Sequence, residues 1–139
     1  MNLPAPEIVE RRPTRLIALA DRFTPATRAR IPELWQRLFA HDFGIEGLDR
    51  SVAYGASFSV GADGSFRYAA GFEAPEGAEP GAGACIVTLA GGPHARFRDR
   101  VPMAAIPAFF DAAFREGLAQ LAKQGWRQGE GAVFERYPP

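Results

Sequence analysis

Glu135 lies in the run Ala132-Val133-Phe134-Glu135-Arg136-Tyr137, which is closed by Pro138 and Pro139. Such a run reads as a short strand, and side chains alternate along a strand. Val133, Glu135 and Tyr137 then share one face, which sets a carboxylate between an aliphatic side chain and an aromatic one. A carboxylate there is costly unless something pairs with it. Arg136 points to the other face and is no obvious partner. Two readings stay open on the strand alone: a solvated face, or an anionic point in an aromatic pocket that receives a cation.

Trp35, Tyr54, Tyr68 and Tyr137 supply rings for such a pocket. Cation–π contacts contribute about 0.5–2 kcal/mol each. Each ring also has a packing role open to it. Trp35 falls on a helix face that meets a sheet, and Tyr54 and Tyr68 fall on paired strands where they could stack. Burial without a ligand raises a glutamate's pKa.

Other constellations carry less. His41 and His94 lack ligand spacing, so no metal site is expected. Cys85 falls within a strand and reads as buried and inert. Gly91-Gly92 lacks the lysine and helix start of a phosphate loop. Ser57 and Ser59 lack a nucleophile-elbow context.

Composition bounds the function classes. The 139 residues suffice for one domain and one core, here taken as 1–139. Sixteen basic and sixteen acidic residues cancel, which argues against a nucleic-acid-binding module. One cysteine allows no internal disulfide. Met1-Asn2-Leu3-Pro4 does not open a signal peptide, and no apolar run is long enough to span a bilayer. A cytoplasmic protein without membrane association is expected.

Two halves emerge along the chain. Glu7 to Arg11 is a short extended run, and Arg15 to Phe23, apolar on both faces, reads as a central strand. Thr24-Pro25 looks like a helix start, with Pro32 as the alternative. Ile31, Leu34, Trp35, Leu38 and Phe39 follow helical spacing up to a stop at Gly44. Ser51–Val60 and Ser65–Glu73 alternate with period two about a Gly-rich turn, a hairpin. After a Pro- and Gly-rich loop come strands Ala84–Ala90 and His94–Arg98. A helix then runs from Pro102 to Gln124, where Phe109, Phe110 and Phe114 read as core, and Gly125 ends it. The strand of Glu135 closes the chain. This order predicts an α+β fold: an antiparallel sheet with two helices on one face, from two similar strand-helix-strand-strand halves.

Five runs in this order resemble the GyrI-like small-molecule-binding domain, also the effector-binding domain of AraC- and MerR-type regulators. They are Ile31-Pro32-Glu33-Leu34-Trp35, Val52-Ala53-Tyr54-Gly55, Phe66 through Glu73, Val87-Thr88-Leu89-Ala90-Gly91-Gly92, and Phe134-Glu135-Arg136-Tyr137. The resemblance implies two pseudo-symmetric units with a groove that binds hydrophobic, often cationic, compounds. It implies that Glu135 reaches the ligand's charge, with Tyr68, Tyr54, Tyr137, Trp35 and His94 lining the site. His94 stands where the family often has tyrosine, and Arg96 adds a charge, so the ligand is expected to differ from the usual lipophilic cations. A stand-alone sensing or sequestering domain without cofactor or direct nucleic-acid binding follows. Two alternatives also come from the resemblance: a hydrolase of strained cyclopropane-type compounds using Glu135 with Tyr68 or Tyr54, and a gyrase-inhibitor-like protein.

Overall fold

The computed structural model describes residues 3–138. Met1, Asn2 and Pro139, which entered the signal-peptide and strand-end readings, lie outside the described residues. In chain order the elements are β1 (Glu7–Arg11), β2 (Thr14–Phe23), α1 (Ile31–Ala40), β3 (Ala53–Phe58), β4 (Phe66–Glu73), β5 (Cys85–Leu89), β6 (Gly92–Arg96), α2 (Ile106–Ala112), α3 (Leu118–Lys123) and β7 (Val133–Tyr137). The strand ladders are antiparallel among the described residues. This is the α+β class that the element order implies. Two compact units divide the chain: Pro13–Ala90 with the closing strand, and the opening strand with Gly91–Glu130.

The larger unit is built on a five-stranded sheet of order β5-β2-β4-β3-β7. β2 pairs with both β4 and β5, and its double-sided apolar pattern has its cause in a buried cluster on each face. Ile17 and Leu19 enter one buried cluster, with Phe23, Tyr68, Ala70 and Phe72. Leu16 and Ala18 enter another, with Tyr54, Ala56, Ala69, Val87 and Leu89. Leu34 and Leu38 of α1 bury into the first cluster, which fixes the helix on that face of the sheet.

The helix begins at Ile31 rather than at Thr24-Pro25. Thr24 instead closes a tight turn: its carbonyl accepts from the amides of Thr27 and Arg28 at 3.0 and 2.9 Å. Pro32 occupies the first helical turn, where its missing N–H is no loss. The helix also stops at Ala40, earlier than Gly44 suggests. His41 is extended and its amide donates to the Leu38 carbonyl at 3.1 Å, and Arg50 donates to the carbonyls of Leu38 and His41 at 2.9 and 3.3 Å. The β3–β4 hairpin is shorter than its alternating pattern, since Ser59 adopts φ 52° and ends β3.

The smaller unit pairs β1 with β6 and carries α2 and α3. The expected helix Pro102–Gln124 consists of a 3₁₀ turn at Met103–Ala105, α2, a π-turn at Ala113–Gly117 and α3. A Cβ at Gly117 would meet the Phe97 ring, so the wide turn holds a glycine where an aromatic approaches the backbone. Gly125 takes φ +88°, and Trp126 donates to the Leu121 carbonyl at 3.0 Å, closing the helix as its sequence predicts. Strand-helix-strand-strand order is complete in β2–α1–β3–β4. The second half runs strand, strand, helix, strand, and its last strand joins the sheet of the larger unit beside β3.

Candidate functional site

Residues directly opposite in an antiparallel ladder share a face. Gly55 opposes both Ala70 and Glu135, while Ser57 opposes Tyr68 and Val133. Tyr68 and Glu135 therefore project on the same side as Ala70, whose cluster receives α1. The space between them is made by a missing side chain. A Cβ added at Gly55 would meet the Tyr68 hydroxyl and Glu135 Oε2. Glycine within a strand often marks such a close approach.

The helix adds the next layer. Trp35 Nε1–H donates to Tyr68 Oη at 3.2 Å, and Tyr68 donates in turn to Glu135 Oε2 at 3.2 Å. Tyr137 presents its ring edge-on to Trp35 at 5.6 Å, and Phe39, one helical turn on, lies 6.0 Å from the same indole. Phe39 is 62% exposed, so the aromatic series runs from the carboxylate to the surface.

Burial dominates the electrostatics. It pushes Glu135 up to about 7, and the Tyr68 hydrogen bond offsets only part of that rise. Burial also raises the phenols of Tyr68 and Tyr137, and the neighbouring Glu135 charge raises them further. Among the described residues no basic side chain forms an ion pair with Glu135. The site is thus a carboxylate under aromatic rings, with no ion-pair partner among the described residues.

This has a sign for stability. A group whose pKa is raised by folding contributes stability below its unfolded pKa, and loses it as pH rises through the folded value. For Glu135 that window runs from 4.5 to about 7. Glu135→Gln is expected to raise the unfolding free energy at pH 8 by about 2–3 kcal/mol and to leave it nearly unchanged at pH 4. Denaturant melts at the two pH values measure the difference. Equal effects at both would remove the burial penalty from the account.

Of the residues singled out in the sequence, Glu135, Tyr68, Trp35 and Tyr137 come together. Tyr54 does not. It opposes Gly71 and Arg136, so it points to the other face of the sheet, where it is buried with Leu16 and Ala69 and lies 6.3 Å from the Phe134 ring. Tyr54 is a packing residue, removed from Glu135 by strand parity both as a ligand contact and as a proton donor. His94 belongs to the smaller unit, where its Nδ1 lies 3.0 Å from the Gly92 carbonyl oxygen. Gly55 and Phe39 are the positions that sequence reasoning passed over. A glycine interrupting an alternating strand was the available signal for the first.

Among the described residues no cluster of three or more His, Cys, Asp or Glu could hold a metal ion, and no helix is long and apolar enough to cross a membrane. No curated protein sequence matches the chain. Solved structures do. One is SAV2435 bound to tetraphenylphosphonium, at 17% identity and TM-score 0.68, covering 98% of this chain and 84% of that one. Another is an integron cassette protein from the mobile metagenome of Vibrio cholerae, at 18% identity and TM-score 0.67, covering 97% and 89%. At these identities the likeness is one of fold. The profile of the GyrI-like small molecule binding domain matches residues 4–139. With a profile spanning nearly its whole length, and the mixed helix and antiparallel-sheet fold to go with it, this chain belongs to the GyrI-like small-molecule-binding domain family.

Proposed function

We propose that this domain binds a lipophilic monocation against Glu135, in sensing or sequestration. The observation that carries the reading is the half-buried carboxylate: desolvation pushes it up to about 7, it accepts a phenol hydrogen bond, and it has no ion-pair partner among the described residues. A hydrophobic cation supplies the missing charge and meets the Trp35 and Tyr137 rings. The tetraphenylphosphonium carried by SAV2435 supports this ligand class. The raised phenol of Tyr68 holds its proton tightly, which suits a fixed hydrogen-bond donor better than a proton donor in hydrolysis.

Titration with tetraphenylphosphonium tests the reading, with triphenylphosphine oxide as the neutral comparison. Trp35 reports binding by fluorescence once Trp126, which is exposed, is replaced by phenylalanine. With Glu135 titrating near 7, about a tenth of the sites are charged at pH 6 and about nine tenths at pH 8. Cation affinity is therefore expected to rise about tenfold between those values, while the neutral compound's stays level. Below pH 7, cation binding should release a proton. Cation affinity flat with pH, or matched by the neutral compound, would exclude the proposed role of the carboxylate.

A further inference from the structure

The face of the larger unit's sheet opposite Glu135 carries a second, oppositely charged feature. Across β2, β4 and β3 the ladder sets Arg22 opposite Arg67, and Arg67 opposite Phe58. Like charges directly opposed on adjacent strands repel. Arg22 is engaged, donating to Ser65 Oγ at 2.8 Å. The Arg67 guanidinium lies over the Phe58 ring, 5.4 Å from its centroid, and among the described residues no carboxylate pairs with it. The next row inward on this face is Ala20, Ala69 and Ala56. Ala69 and Ala56 of this row are fully covered, as part of the buried cluster on this face. A cavity of about 270 Å³ lies on this part of the unit, lined by Phe58, Arg67, Cys85, Val87, Thr88 and Ala132 among others.

We propose that this cavity is an anion site for a small organic carboxylate with an apolar body. Arg67 supplies the charge, and its guanidinium geometry matches a carboxylate. Phe58 holds the guanidinium from the other side. Val87 and Ala132 contact the apolar part. The volume suits a small ligand: drug-sized sites occupy about 300–1,000 Å³. A bound anion also offsets the repulsion between Arg22 and Arg67. The site is independent of Glu135, which projects from the opposite face.

Cys85, expected from the sequence to be buried and inert, is instead only half-buried and lines the cavity, and as the chain's single cysteine it makes the test direct. Iodoacetate and iodoacetamide alkylate a thiolate by the same displacement of iodide, but only the first is an anion. Burial raises the Cys85 thiol, which slows both reagents alike and cancels in their rate ratio. The iodoacetate-to-iodoacetamide ratio, followed by intact mass, is expected to be about 3- to 10-fold higher in the parent than in Arg67→Gln. In the unaltered protein it should fall as salt rises from about 20 mM to about 1 M. Phenylacetate should protect Cys85 from iodoacetamide in the parent and fail to do so in Arg67→Gln. Equal ratios in the two proteins, a ratio indifferent to salt, or protection that survives the substitution would overturn the site. Stronger protection by phenyl phosphate than by phenylacetate would overturn the carboxylate assignment. None of these readings depends on whether a cation binds at Glu135.

Discussion

Glu135→Gln is expected to weaken tetraphenylphosphonium binding at pH 8 by about 30-fold to a few thousand-fold, and to change triphenylphosphine oxide binding by less than about threefold. The substitution preserves shape and removes charge. Removing one partner of a desolvated charge pair costs about 2–5 kcal/mol, which sets the range for the cation. The amide can still accept the Tyr68 hydrogen bond, so the packing under Trp35 is retained. At pH 6 the same substitution should cost about tenfold less, because the parent carboxylate is then mostly protonated. Parallel losses for cation and neutral compound would assign the effect to shape instead of charge.

Gly55→Val is expected to abolish cation binding, by at least about 100-fold, through a residue that carries no functional group. A Cβ at this position would meet the Tyr68 hydroxyl and Glu135 Oε2, and a branched side chain fills the same space further. Valine is otherwise a favourable strand residue, and the backbone of Gly55 is not in the left-handed region. The β3 ladders with β4 and β7 can therefore form while the phenol and carboxylate are driven apart. Overpacking of this kind costs about 1–3 kcal/mol of stability. Circular dichroism should show a folded protein, and fluorescence titration should show the lost site. A folded Gly55→Val protein that binds the cation normally would show that the Tyr68–Glu135 contact is dispensable.

Much of this arrangement was legible in the sequence because it follows from period and punctuation. The two-sided apolar pattern of β2, the alternation of the β3–β4 hairpin and the Glu135 strand all depend on local side-chain parity, which a single chain displays. Register between strands is not displayed. Tyr54 and Tyr68 looked equivalent from their patterns, yet the pairing of Tyr54 with Gly71 puts them on opposite faces. The start of α1 was ambiguous for a related reason: Thr24-Pro25 and Pro32 both carry start signals, and only the turn closed on the Thr24 carbonyl separates them. The π-turn in the second helix had no sequence signature beyond Gly117, since it depends on the approach of Phe97 from β6's far end.

The position of Glu135 at the border of its sheet has a consequence for order. Its strand, β7, is five residues long and is held along one edge only, by β3. Short edge strands open locally with less free energy than the core they border. Deprotonating Glu135 destabilises this edge strand, whereas the proposed cation would offset that penalty beside the Trp35 and Tyr137 rings. Under the proposed cation binding, occupancy of the site and attachment of this edge strand would be coupled. On the proposed reading, cation binding would protect β7 from local opening more than the strands at the centre of the sheet.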